Sequence, residues 1–347
     1  MAGGKAGVLL CMGNPLLDIS SVVDQAFLDK WDLKMGNAIL AEEKHAPMYT
    51  EMVEKLPVEY VAGGATQNSA RVAQWMIQTP GAVSYIGCIG KDKFGEQLKK
   101  AAIKDGVNVQ YLEDPSAPTG TCAVGVLGGE RTLCANLGAA NNYKVEDLEL
   151  PAKWSIAENA KFYYMAGFFI TVCPPAIMKV AKHAAENNKT FMMNLAAPFI
   201  MQVPPFWAAL NEALPYIDVL FANETEAVTF AEVSGWETRD VAEIALKIAK
   251  MPKTNGAQCR TVVFTQGADP TVVVHNGKVR RYPVIYLPKE ELVDTNGAGD
   301  AFVGGFLSQL VCGKGMEECC RAGNFAANTI IQRSGCTFPD TPTFDWA

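Results

Sequence analysis

The chain has 347 residues, of which 49% are hydrophobic and 19% charged. That balance excludes general disorder and leaves room for one large domain with a smaller one beside it. Thirty Lys and Arg against 37 Asp and Glu give a net charge of -7, which argues against a general nucleic-acid binder but not against a small anionic ligand, which senses only local charge. Eight of the ten cysteines are scattered and Cys319-Cys320 are adjacent; no C-x-x-C pair occurs, and three histidines offer no zinc cluster. The apolar run at 8–12 is too short for a secretory core, and nothing approaches the ~20 apolar residues of a membrane span. A cytoplasmic protein with reduced thiols is expected, with the nucleus as a second possible compartment.

In chain order, the run at 8–12 reads as a strand and leads into GNPLLDI, residues 13–19. In open α/β sheets ligands bind just past the carboxyl ends of strands. Asp18 can accept hydrogen bonds from two hydroxyls at once, although Asn-Pro followed by Asp is also an ordinary turn. Short strands with period-two alternation follow at 19–24, 38–41 and 58–62. GGATQNSARVAQW, residues 63–75, breaks the last of them with a glycine pair and opens a helix over 67–77. Asn68 there can bond a ligand hydroxyl, or the segment is a plain glycine turn with a polar cap. A strand at 83–89 and a helix at 94–104 come next. The stretches 121–127 and 131–135 flank Gly128-Gly129, a hairpin signal; Arg131 beside that turn can swing onto a phosphate or stay solvated.

From 162 onward, continuous apolar runs at 162–165, 190–195, 217–221 and 261–265 alternate with amphipathic segments at 175–186, 225–232 and 241–250. Such runs suit strands covered on both faces. Phe168-Phe169 can stack on a ring or belong to the core. In NETEA, residues 223–227, Asn223 and Glu226 lie three apart; they can order waters around Mg²⁺, which keeps much of its hydration shell, or form a capping box. In DTNGAGDAFVGGF, residues 294–306, the amides around Gly297 and Gly299 stand at the start of a helix over 299–311, where anions bind. Asp300 in its first turn can take a proton from an attacking hydroxyl during phosphoryl transfer, or merely complement the helix dipole. The glycine spacing matches neither a Walker A loop nor a Rossmann fingerprint. A last helix covers 316–333. His45, His183 and His275 show no partner pattern.

The alternation predicts an α/β fold with a doubly wound, mostly parallel sheet flanked by helices. The period-two pieces fit no βαβ unit. They are read as a small β-rich lid over about 16–64 and 119–139, set into a large domain of about 1–15, 65–118 and 140–347; the alternative is that they extend the main sheet.

Taken together, these segments resemble the ribokinase-like (PfkB) family of carbohydrate kinases. The 294–306 and 63–75 segments are similar to its two signatures. GNPLLDI, TGTCA (119–123), AGFF (166–169), NETEA, FTQG (264–267) and GCTFP (335–339) resemble, in order and spacing, the branch that phosphorylates adenosine. The likeness runs from about Val8 to Pro339. It implies transfer of the γ-phosphate of ATP to the ribose 5′-hydroxyl of adenosine, giving AMP and ADP. Asp300 is then the general base, with Gly297, Ala298 and Gly299 as an anion hole and Arg131 reaching the phosphates. Asp18, Gly63, Gly64 and Asn68 hold the ribose, Asn14 lies beside the nucleoside, and Leu16, Leu40, Leu133, Leu137 and Phe169 enclose adenine. Asn194, Asn223, Thr265, Gly267, Asn296, Asn324, Ala327 and Phe338 line the ATP site, and Glu226 supports Mg²⁺ through water. The family also responds to potassium, and a monomer without nucleic-acid or membrane partners is implied. Ala65 replaces a serine of some relatives, and Asn324 a histidine or another residue, which alters contacts but leaves the chemistry intact. Two rivals remain: a family kinase for a free sugar or another nucleoside, and a nucleoside-binding regulator without turnover.

Overall fold

The computed structural model of the chain describes residues 5–35, 38–128, 130–254 and 259–345, the side chains of Ala38, Leu40 and Glu130 excepted. Among them a nine-stranded sheet runs in the order Lys278–Tyr282, Asp269–His275, Thr261–Gln266, Val219–Asn223, Thr190–Asn194, Phe162–Ala166, Leu9–Met12, Val83–Ile86 and Asn108–Val109. From Thr261–Gln266 onward all pairings are parallel. The first two strands form an antiparallel hairpin on the edge.

The unbroken apolarity of the central strands has a direct structural cause. Leu10, Met12, Tyr163, Met165 and Phe191 point into one core with helices Pro174–Glu186, Glu224–Val233 and Val241–Ala249. Leu9, Cys11, Tyr164 and Met192 point into another with helices Ala65–Ile77, Ala298–Leu310 and Met316–Ile331. Both faces are thus covered, as a parallel sheet requires. Gly304 and Gly305 let the last three helices close up: a Cβ on Gly304 would stand 2.7 Å from the Ser69 carbonyl oxygen, and one on Gly305 would collide with the Ala322 carbonyl.

The chain leaves Leu9–Met12 toward Val83–Ile86 on one side and later builds outward from Phe162–Ala166 on the other. Between these two strands the winding reverses, and the crevice at their carboxyl ends is where such sheets bind ligands. The strand expected over 83–89 is broken at Gly87, which sits against the Gly13 carbonyl and Pro15 ring. Cys88–Gly90 continues in a separate two-stranded sheet with Leu112–Asp114.

The period-two segments form their own five-stranded sheet, in the order Ala38–Leu40, Glu130–Asn136, Thr121–Leu127, Leu16–Val22 and Glu59–Gly63. Leu17 and Ile19 pack into a core with Met48, Tyr49 and Met52 of helix Ala46–Lys55; Tyr49 donates to the Cys134 carbonyl at 2.9 Å. Leu16 and Asp18 face the other way and are half-buried. Cross-strand neighbours share a face, and the register sets Asp18 beside Cys122 and Val124 opposite Leu133. Leu16, Asp18, Cys122 and Leu133 therefore share one face. Helices Ala46–Lys55 and Pro204–Ala213 are not read from the sequence; their N-terminal prolines remove only amides that have no helical partner there. All ten cysteines are free. Among the described residues no helix is long and apolar enough to cross a membrane.

Candidate active site

A cavity of about 330 Å³ opens at the carboxyl ends of the central strands. Asn194, Asn223 and Thr265 end or nearly end three neighbouring strands and line it, with Asn296, Gly297, Gly299 and Asp300 from the start of helix Ala298–Leu310. Phe168 and Glu226 add aromatic and acidic surface, and Ala65, Ala166, Val263 and Phe302 are among the apolar residues of the wall. One short chain segment thus places a carboxylate and a helix amino terminus opposite a row of strand-end side chains.

Gly297 holds φ +77°, a left-handed conformation that lets the backbone turn into the helix, and Cys336 packs beneath it. The first-turn amides of a helix have no partner within it and favour negative charge. The Ala298 amide is an exception to the sequence expectation. It closes a turn on the Thr295 carbonyl at 3.2 Å, and Ala298 does not line the cavity.

Asp300 is clamped by the other signature helix. Asn68 donates through Nδ2 to its carboxylate at 3.0 Å, and Ser69 donates to its carbonyl at 3.0 Å. Burial pushes the Asp300 carboxyl up to about 7; the Asn68 hydrogen bond opposes this, while the negative charges of Asp18 and Glu226 add to it. Asp18 is also pushed up to about 7 by burial, against the lowering effect of Arg71 and Arg131. Gly63 and Gly64 are small for steric reasons. A side chain at Gly63 would collide with the Asp18 carboxylate, and one at Gly64, held at φ +92°, with the Asn14 carbonyl. Asn14 Nδ2 donates to the Phe168 carbonyl at 3.4 Å, tying the two sides of the winding reversal together, and its Oδ1 is buried without a protein partner. Thr66 adds a further tie, donated to by the Ala166 amide at 3.0 Å.

Several expected residues lie elsewhere. Phe169 is fully buried, 5.6 Å from the Tyr143 ring, and Phe168 lines the cavity in its place. The tight 3₁₀ turn Gly167–Thr171 sends consecutive side chains in different directions, so a Phe-Phe pair alone does not say which ring meets a ligand. Arg131 makes an ion pair with Asp294 at 3.2 Å and bonds Ser334, instead of standing free near the cavity. Phe338 stacks on Trp75 at 5.1 Å, and Asn324 donates to the Pro283 carbonyl at 3.0 Å. Neither they nor Gly267 and Ala327 line the cavity. Leu16 and Leu137 converge on Gly120, where a Cβ would stand 2.6 Å from the Leu16 Cδ2 and from the Leu137 carbonyl oxygen. The Leu40 backbone pairs with Ala135; its side chain lies outside the described residues. Arg71 and Asp294 carry parts of the site that the motifs did not single out; Asp294 is the first residue of DTNGAGD, and Arg71 lies one turn beyond Asn68.

Asn223 and Glu226 form the capping box that was the alternative to a metal role. Glu226 accepts from the Asn223 amide at 2.9 Å and from its Nδ2 at 3.0 Å, while the Glu226 amide donates to Asn223 Oδ1 at 2.8 Å. Burial raises the Glu226 carboxyl. Among the described residues no cluster of three or more His, Cys, Asp or Glu could hold a metal directly.

A parallel sheet with its cavity at a winding reversal, an anion-attracting helix start and a buried carboxylate beside it together define a phosphotransferase-type site. The chain matches the pfkB family carbohydrate kinases over residues 25–343 and belongs to that family. It is 64% identical over 339 residues to adenosine kinase 1 of Arabidopsis thaliana, covering 98% of both chains, and 46% identical over 331 residues to adenosine kinase of Dictyostelium discoideum, covering 95% and 96%. Among solved structures, Anopheles gambiae adenosine kinase in complex with P1,P4-di(adenosine-5) tetraphosphate superposes with a TM-score of 0.89 at 49% identity, covering 98% of this chain and all of that one. Apo adenosine kinase of Trypanosoma brucei brucei gives 0.91 at 40% identity, covering 95% and 100%.

Proposed function

We propose that the protein is a nucleoside kinase that transfers the γ-phosphate of ATP to the 5′-hydroxyl of adenosine, giving AMP and ADP. The observation that carries this reading is the Asp300 carboxylate, held by Asn68 at the mouth of a helix amino terminus and open to the strand-end cavity. The near full-length identity to adenosine kinases supports the choice of substrate.

In this mechanism the 5′-oxygen bonds to the γ-phosphorus as its proton passes to Asp300, and the bond from that phosphorus to the β,γ-bridging oxygen breaks to release ADP. Amides at Gly297 and Gly299 stabilise the charge on the phosphoryl oxygens. Asp18 grips the ribose hydroxyls with Asn14, Gly64 and Asn68 around it, and the face carrying Leu16 and Leu133 covers the base. The small sheet acts as a lid that keeps water from competing with the 5′-hydroxyl. Mg²⁺ would neutralise the polyphosphate charge. The donor set fits a hydrated ion: Glu226 and Asn223, already bonded to each other, can hold it only through water.

A coupled ATP assay against adenosine, inosine, guanosine and ribose tests the reading. Turnover of adenosine at least ~10-fold above ribose is expected; preference for ribose would move the protein to a sugar kinase, and binding of adenosine without turnover would make it a regulator.

A further inference from the structure

We propose that Arg71 is a positioning residue for phosphoryl transfer, tying the small sheet, the N-terminal signature helix and the GCTFP loop to a single guanidinium. The inference rests on the function proposed above.

Arg71 is only 4% exposed although it lies in the middle of helix Ala65–Ile77. Its Nη1 donates to the Ala62 carbonyl at 2.6 Å and to the Cys336 carbonyl at 3.1 Å, and Asn68 Oδ1 stands 3.5 Å from the same nitrogen. Its Nε pairs with Asp105 at 2.6 Å, and the guanidinium carbon lies 5.3 Å from the Phe338 ring centre. The three acceptors of Nη1 lead to the reacting centre. Ala62 precedes Gly63, against which the Asp18 carboxylate rests. Cys336 is the residue on which Gly297 sits. Asn68, three residues back and so on the same side of the helix, is the donor to Asp300.

The Asn68 amide has two faces. With its oxygen toward Asp300 it would oppose two acceptors. A cation on the Oδ1 side therefore selects the orientation in which Nδ2 donates to the carboxylate. A buried charge is no efficient way merely to fill a core, since an apolar side chain of like volume is often as stabilising or more so. What Arg supplies beyond volume is a planar fork that meets carbonyls from two directions at once, which a lysine ammonium on a flexible stem does not reproduce.

Steady-state kinetics with adenosine and ATP on the full chain test this, using Arg71→Met, Arg71→Lys and, as a core-stability control, Ile177→Ala. Ile177 is a buried core residue of helix Pro174–Glu186. Rates are taken per folded enzyme, well below each Tm. Arg71→Met is expected to lower kcat at least tenfold and to raise KM for adenosine about tenfold, with KM for ATP moving less than threefold. Arg71→Lys should recover kcat to within about fivefold of wild type while KM for adenosine stays raised about threefold. Ile177→Ala should lose Tm and keep both constants within twofold. Wild-type constants in Arg71→Met overturn the proposal, as do equal kinetic losses in Ile177→Ala. If Arg71→Met does not fold, an unchanged adenosine KM in Arg71→Lys overturns it alone. Wild-type enzyme that turns over no adenosine would instead overturn the function on which the inference rests.

Discussion

Asp18 belongs to the small sheet and Asp300 to helix Ala298–Leu310, which packs on the large sheet, and burial pushes both carboxyls up to about 7. Their surroundings are opposite. Asp18 faces the cations Arg71 and Arg131, which favour its charged form. Asp300 faces Asp18 and Glu226, and only the Asn68 hydrogen bond favours its charge. Cations beside a carboxylate lower its proton affinity and anions raise it. On the roles proposed above, hydroxyl binding by Asp18 and proton acceptance by Asp300, the division of labour would follow environment rather than residue type.

Replacing each aspartate sharpens that division. Asp300→Asn should cut kcat by at least ~10²-fold while adenosine KM stays within about threefold. Asp18→Asn should act mainly on binding, raising adenosine KM by roughly 10–100-fold, the size expected for lost hydrogen bonds to a charged group, with a smaller change in kcat. Steady-state kinetics on the two variants decide the matter, and an exchange of the two signatures would break the comparison. Arg131→Met comes next. It removes the ion pair to Asp294 and one of the cations facing Asp18. A fall in kcat of about tenfold, with a higher adenosine KM, is expected. A KM effect alone would confine Arg131 to the nucleoside side.

The two regions also differed in how plainly the sequence announced them. Six of the nine strands of the large sheet are readable, because burial on both faces demands unbroken apolar runs such as those of Leu9–Met12 and Phe191–Met193. Three escape: Asn108–Val109, which is only two residues long, and the edge hairpin of Asp269–His275 with Lys278–Tyr282, whose outer strand is largely exposed and carries Lys278, Arg280 and Arg281. In the site, Asp300 and Asn68 were legible because each lies in a glycine-marked segment at a helix start. Their direct contact across 232 positions was not, since it depends on the packing of two helices. Arg71 was invisible for a related reason. An arginine in an amphipathic helix reads as a solvated charge, and only the arrival of the Ala62 and Cys336 carbonyls buries it.

The smallest expected effect is thermodynamic. A carboxyl whose pKa in the folded state lies above its unfolded value binds its proton more tightly when folded. Its contribution to stability is therefore most favourable below the unfolded pKa, near 4, declines as pH rises from about 4 to about 7, and is flat above that. For Asp300, with its pKa raised to about 7, the native state is strained wherever this carboxyl is ionised. Asparagine at that position carries no charge to desolvate and can still accept the Asn68 hydrogen bond through its carbonyl oxygen. Thermal unfolding should thus place Tm of Asp300→Asn about 3 °C or more above wild type at pH 8, equivalent to roughly 1 kcal/mol. The gap should close as the pH approaches 4. Asp18→Asn should show the same trend with a smaller rise, because it also leaves Arg71 and Arg131 without the charge they face. A larger rise for Asp18 than for Asp300 would contradict the contrast drawn between them, since it would make the residue beside the cations the more strained of the two.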